Sequence, residues 1–143
     1  MSVSELIVSV DRILAPPPET VWRALTEPDL YSRWMGPQGA TTTVDEMAVT
    51  LGGRLALRVA FPDGGPEFRL FGFYEDIDPP RRLVHSWAME GDEEVSTVVF
   101  DLEPHGDGTR LQINHHGLTR PEDVQQNEGG WNHQLDRLEA LLS

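Results

Sequence analysis

Leu6, Val8 and Val10 share one face at period two, which predicts a strand over residues 4–14. Pro16-Pro17-Pro18 ends it, and Pro18-Glu19-Thr20 opens a short helix running to about Thr26, with proline near the first turn and Glu19 complementing the dipole. Val21, Trp22 and Leu25 form its apolar stripe. Glu27-Pro28-Asp29 starts a second short helix that carries Leu30, Tyr31 and Trp34 and stops at Gly36-Pro37. The period then changes to that of a sheet. Residues 40–49 are rich in Thr and Val, Gly52-Gly53 makes a turn, and Leu55, Leu57, Val59 and Phe61 alternate strictly. Pro62-Asp63-Gly64-Gly65 is a hairpin signal, and Phe68 to Ile77 is a further strand closed by Asp78-Pro79-Pro80. Leu83, His85, Trp87 and Met89 alternate next, followed by a turn at residues 90–92. Glu94 to Leu102 is β-branched and apolar, residues 105–108 form a loop, and Thr109 to His115 completes the set.

From about Pro121 the period switches again. Val124, Glu128, Trp131, Leu135, Leu138 and Leu142 recur at spacings of three and four, which predicts one long amphipathic helix. Its stripe is mostly polar before Gly130 and apolar after it. The predicted fold class is therefore α+β: a meandering antiparallel sheet of about six to seven strands, two short helices after the first strand, and a C-terminal helix as the only element long enough to cover the sheet.

Composition bounds what such a fold does. The chain has 143 residues, with 11 basic against 24 acidic side chains and a formal charge of −13. Every basic residue is arginine, and there is no lysine and no cysteine. So acidic a chain lacks the cationic footprint of nucleic-acid binding and is unsuited to an anionic membrane surface. Schiff-base lysines, P-loop lysines, thiol nucleophiles, disulfides and zinc ribbons are all excluded. The length fits a single domain over residues 1–143 that buries roughly 70% of its unfolded surface. No apolar run approaches the roughly 20 residues of a membrane span, and Ser4 to Leu14 alternates and carries charge, unlike a secretory signal. A cytoplasmic location is the expectation.

Several motifs, taken in order, carry a resemblance. They are residues 15–22 (Ala-Pro-Pro-Pro-Glu-Thr-Val-Trp), Trp34-Met35-Gly36-Pro37, Gly52-Gly53, the run from Gly72 to Val84, Ser86-Trp87, Gly108-Thr109-Arg110-Leu111 and Gly129-Gly130-Trp131. Together they resemble the activator-of-heat-shock-ATPase homologue family of the START-like (SRPBCC) superfamily, from about Leu6 to Leu142. The resemblance implies a helix-grip fold, in which a curved antiparallel sheet wraps the C-terminal helix around a cavity. Members of the superfamily bind lipids, sterols or polyketides, and a few are cyclases or hydrolytic enzymes. Likeness of fold alone does not assign an activity.

In that arrangement Trp34, Trp87 and Trp131 are candidates to present flat apolar walls to a ligand, with Leu135 beside them. Phe71 and Phe100 are further candidate lining residues, while Trp22 reads as core. Residues 70–74 are apolar on both faces, so alternation does not say whether Leu70 and Tyr74 or Phe71 and Phe73 face the cavity. If the Phe71 side is internal, Arg69 is placed to meet an acidic head group. His85 shares a face with Leu83 and Trp87, and His115 with Leu111 and Ile113. Either is a candidate polar anchor for a ligand carbonyl or hydroxyl, or an acid–base group, and His115 comes first. A buried histidine satisfied by its neighbours is the commoner case.

His116 should face the opposite way from His115, His105 lies in a turn, and His133 falls about 200° around the helix from Trp131. No His-x-Glu or His-x-x-x-His spacing appears, so no metal or cofactor is expected. There is no Gly-x-Ser-x-Gly elbow, and residues 92–94 and Glu122-Asp123 look like solvated charge. Three readings follow. The first is a monomeric or homodimeric binder of an apolar or aromatic small molecule. The second is a cyclase- or hydrolase-type enzyme using the same pocket through His115 or His85. The third is an interaction module that stimulates a chaperone ATPase.

Overall fold

A computed structural model describes residues 6–91 and 94–143. Its elements are β1 (Leu6–Leu14), α1 (Pro18–Thr26), α2 (Pro28–Trp34), β2 (Thr41–Met47), β3 (Arg54–Ala60), β4 (Phe68–Asp78), β5 (Arg82–Met89), β6 (Ser96–His105), β7 (Gly108–Leu118) and α3 (Pro121–Leu142). The expected strand residues Ser4 and Glu5, and Asp92 and Glu93 of the expected turn and acidic run, lie outside the described residues. Glu94 and Val95 precede β6 instead of opening it.

All strands join one antiparallel seven-stranded sheet in the order β1-β7-β6-β5-β4-β3-β2. From β2 to β7 each strand pairs with its successor, as short connections favour. β1 closes the far edge against β7, so the two short helices carry the chain across the sheet to β2. The sheet curves around α3, giving the helix-grip arrangement. α3 packs on β1, β7 and α2, and α2 packs on β2.

Alternation decides which side chains enter the core. Leu55 and Leu57 of β3, Val98, Phe100 and Leu102 of β6, and Leu111 and Ile113 of β7 point inward and form one core cluster with Trp131, Leu135 and Leu138 of α3. The split stripe of α3 has a structural counterpart. Its apolar C-terminal half packs on the sheet, and Asp123, Gln126 and Asn127 of its polar half border a water-accessible opening. No described helix is long and apolar enough to cross a membrane.

Candidate functional site

Between the sheet and α3 lies a cavity of about 570 Å³. Its apolar wall comes from Met35, Val59, Leu70, Trp87 and Met89, and its inner end from Ser96, His115 and Trp131. The α2–β2 connection forms one side and is held firmly. Gly36 N–H donates to Gln134 Oε1 at 2.8 Å, Arg137 donates to the Gly36 carbonyl, and Thr42 Oγ1 donates to the Met35 carbonyl at 2.6 Å. Gly36 has φ +111°, a region that side-chain-bearing residues avoid, which explains a glycine at this corner.

A hydrogen-bonded relay spans the inner end. Trp131 Nε1–H donates to His115 Nδ1 at 3.2 Å, and His115 Nε2 lies 2.7 Å from Ser96 Oγ. Ser96 Oγ in turn donates to the Trp87 carbonyl at 3.2 Å. An indole N–H only donates, so Nδ1 holds the lone pair and the ring proton sits on Nε2, donating to Ser96. Burial, with His85 and His116 nearby, pushes His115 down to about 4, so the ring is neutral at pH 7 with both nitrogens occupied. His115 is thereby a fixed structural element of the wall. To act as a base it would first have to give up the Trp131 bond.

His85 lies beneath this wall, 2% exposed, with Tyr74, Trp87 and Phe100 rings around it at centroid distances of 5.9, 5.5 and 5.8 Å. Its Nδ1–H donates to the Ser86 carbonyl at 2.8 Å, and its Nε2 has no hydrogen-bond partner among the described residues. Desolvation pushes it down to about 4 as well. The Ser86 carbonyl sits hard against Gly72, where any Cβ would run into that oxygen. Gly72→Ala is therefore expected to push β4 from β5 and destabilise the fold by about 1–3 kcal/mol. Urea unfolding measures this, and a variant as stable as the parent would show that the two strands separate here at no cost.

The sequence candidates fall into distinct places. Trp87, His115 and Trp131 border the cavity. Trp34, Phe100 and Leu135 do not; they are core residues behind it, at most 1% exposed. Trp34 donates its indole N–H to the Ala24 carbonyl at 2.8 Å and meets Tyr31 edge-on at 5.5 Å, so its faces are already covered within the helical layer. Phe71 is a correction. Leu57 pairs with Leu70 and Ala56 with Phe71, so Leu70 and Tyr74 face inward while Phe71 and Phe73 lie on the outer surface. There the Arg54 guanidinium stands 5.9 Å from the centre of the Phe71 ring. Arg69 shares that outer face, 61% exposed and 3.8 Å from Glu90, and meets no internal head group.

Leu70, one of the two alternatives that the alternation of β4 leaves open, borders the cavity, and so does Ser96, which the sequence reading does not single out. Ser96 had a readable signal, because it occupies the first inward position of the Val98, Phe100, Leu102 alternation. His133 is exposed at the rim and His116 is half-buried on the other side of β7 from His115. Among the described residues no group of His, Asp or Glu is arranged to hold a metal.

A second concavity, about 390 Å³, lies on the outer sheet face among Arg81, Arg82 and Arg110. Each guanidinium there already meets a carboxylate: Arg81 with Asp78, Arg82 with Asp101 and Arg110 with Asp11, at 2.6, 2.9 and 2.9 Å. Exposed pairs of this kind contribute little individually and leave no unmatched charge for a ligand.

Comparison with known proteins places this geometry. The chain superposes on the crystal structure of a protein from Chromobacterium violaceum at TM-score 0.88 and 26% identity, covering 95% of this chain and 96% of that one. A Nitrosomonas europaea protein gives TM-score 0.84 and 27% identity over 96% and 94% of the two chains. DynU16, a protein in the dynemicin biosynthetic locus, gives 0.78 and 25%, with 97% of this chain covering 48% of that one. No curated protein matches the sequence. The model of the family described as activator of Hsp90 ATPase homolog 1-like protein matches residues 15–143, the expected motifs included, and the chain belongs to that family.

Proposed function

We propose that this protein binds a small apolar or aromatic molecule between the sheet and α3. The observation that carries this reading is the cavity of about 570 Å³ faced by Trp87 and Trp131, with a fixed polar group at its inner end. Its volume falls in the range of small-molecule sites, and its lining sets an apolar wall of Met35, Val59, Leu70, Trp87 and Met89 against polar groups. A likeness of fold to a protein of a biosynthetic locus accords with handling small molecules.

Catalysis through His115 is disfavoured, because both ring nitrogens are engaged and the ring stays neutral at pH 7. Native mass spectrometry of the purified chain, followed by extraction, tests the proposal. A discrete bound species, or a hydrophobic compound that raises the melting temperature, is the expected result. Absence of both overturns the proposal.

A further inference from the structure

Building on the ligand-binding reading, we infer that the ligand is an uncharged molecule that presents a hydroxyl to Ser96 and donates its proton to the Ser96 oxygen. The argument is a count of donors and acceptors along the relay. Trp131 Nε1–H, at one end, only donates; the Trp87 carbonyl, at the other, only accepts. The direction of every bond between them is therefore locked. His115 receives on Nδ1 and donates from Nε2, and Ser96 receives that proton while its own O–H turns to Trp87.

The relay itself offers a ligand no donor. What remains is the second lone pair of Ser96 Oγ, on a residue that borders the cavity. A carbonyl oxygen brought against it would set two acceptors face to face with no hydrogen between them. A hydroxyl hydrogen bonds there directly.

The opening disfavours an anion for an independent reason. Arg120 is the one arginine that borders the cavity among the described residues, and its Nε already donates to Asp123 at 3.0 Å. Glu94 and Asp123 border the same opening, in a chain of net charge −13. A carboxylate approaching the mouth meets two carboxylates and one guanidinium, a net negative charge.

Three probes with one ring system separate these terms: β-naphthol, its methyl ether and β-naphthoate, titrated calorimetrically into the full chain at neutral pH. β-Naphthol is expected to bind about fivefold or more tightly than the ether, the worth of one neutral hydrogen bond, and the naphthoate is expected to bind most weakly. Ser96→Ala should abolish the preference for β-naphthol over the ether. Ser96→Thr, which retains the oxygen, should keep the preference; melting curves establish that both variants are folded. Equal binding of naphthol and ether, an unchanged preference in Ser96→Ala, or tightest binding of the naphthoate overturns the inference and leaves the binding site standing. If none of the three binds and no ligand co-purifies, the binding site itself falls, and this inference with it.

Discussion

Trp131→Ala is expected to lower stability by about 3–5 kcal/mol, the usual cost of deleting a buried indole. The side chain is 4% exposed and lies edge-on to Phe100 at 5.9 Å and to His115 at 6.1 Å, so it joins α3 to β6 and β7. Truncation opens a cavity that α3 cannot close without sliding, because Leu135 and Leu138 are already seated in the core. It also strips the donor from His115 Nδ1, leaving a buried acceptor unpaired at a further cost of about 1–3 kcal/mol if no water reaches it.

Trp131→Phe separates the two contributions. It retains a ring but no N–H, and is expected to cost about 1–2 kcal/mol and to free the His115 tautomer. Urea unfolding provides the stabilities, and the nitrogen chemical shifts of the imidazole report the tautomer. An alanine variant within about 1 kcal/mol of the parent would mean that Trp131 is not what joins the helix to the sheet.

Acid is the second large lever. His85 and His115 both titrate at about 4 in the folded protein, against about 6.5 in an unfolded chain. Between these values the unfolded chain takes up protons that the native interior refuses. Stability is therefore complete above about pH 6.5 and falls as pH drops towards 4. Each histidine accounts for about 3 kcal/mol over the whole window, and the pair for something of order 5 kcal/mol, since the cavity bordering His115 softens its share.

Denaturant curves at pH 7 and pH 5 measure this loss. His85→Phe preserves the ring cluster with Tyr74, Trp87 and Phe100 but does not titrate, so it should reduce the difference between the two pH values by about half. A variant with the parent's full pH dependence would remove His85 from the account and point to the carboxylates instead.

Much of the architecture was legible because periodicity is a local property. The strict alternation of Leu55, Leu57 and Val59 marks a strand whose inner face is set by those residues wherever it pairs. Trp131, Leu135 and Leu138 likewise define the packed face of α3 from spacing alone. The charge of −13 and the absence of lysine and cysteine excluded whole classes of chemistry before any geometry was known. The site was only partly legible. Residue type and spacing point to Trp87, His115 and Trp131, which border the cavity, but equally to Trp34, Phe100 and Leu135, which are core, and beyond its inward position they give Ser96 no distinction from an ordinary strand serine.

The division follows from the range of the interactions involved. Spacing along the chain determines which residues share a face of an element, and so determined the strands, the helices and their order. It does not determine what lies opposite that face. β4 is apolar on both sides, so only its pairing with β3 sends Leu70 inward and Phe71 outward. Trp34 and Trp131 look alike as helix tryptophans, yet neighbours cover one on every side while the other borders open volume. The relay that sets the chemistry joins Trp131 of α3, His115 of β7 and Ser96 of β6, three elements that only the folded chain brings within hydrogen-bonding distance. Its proton arrangement is thus a property of the tertiary structure, fixed by a donor at one end and an acceptor at the other.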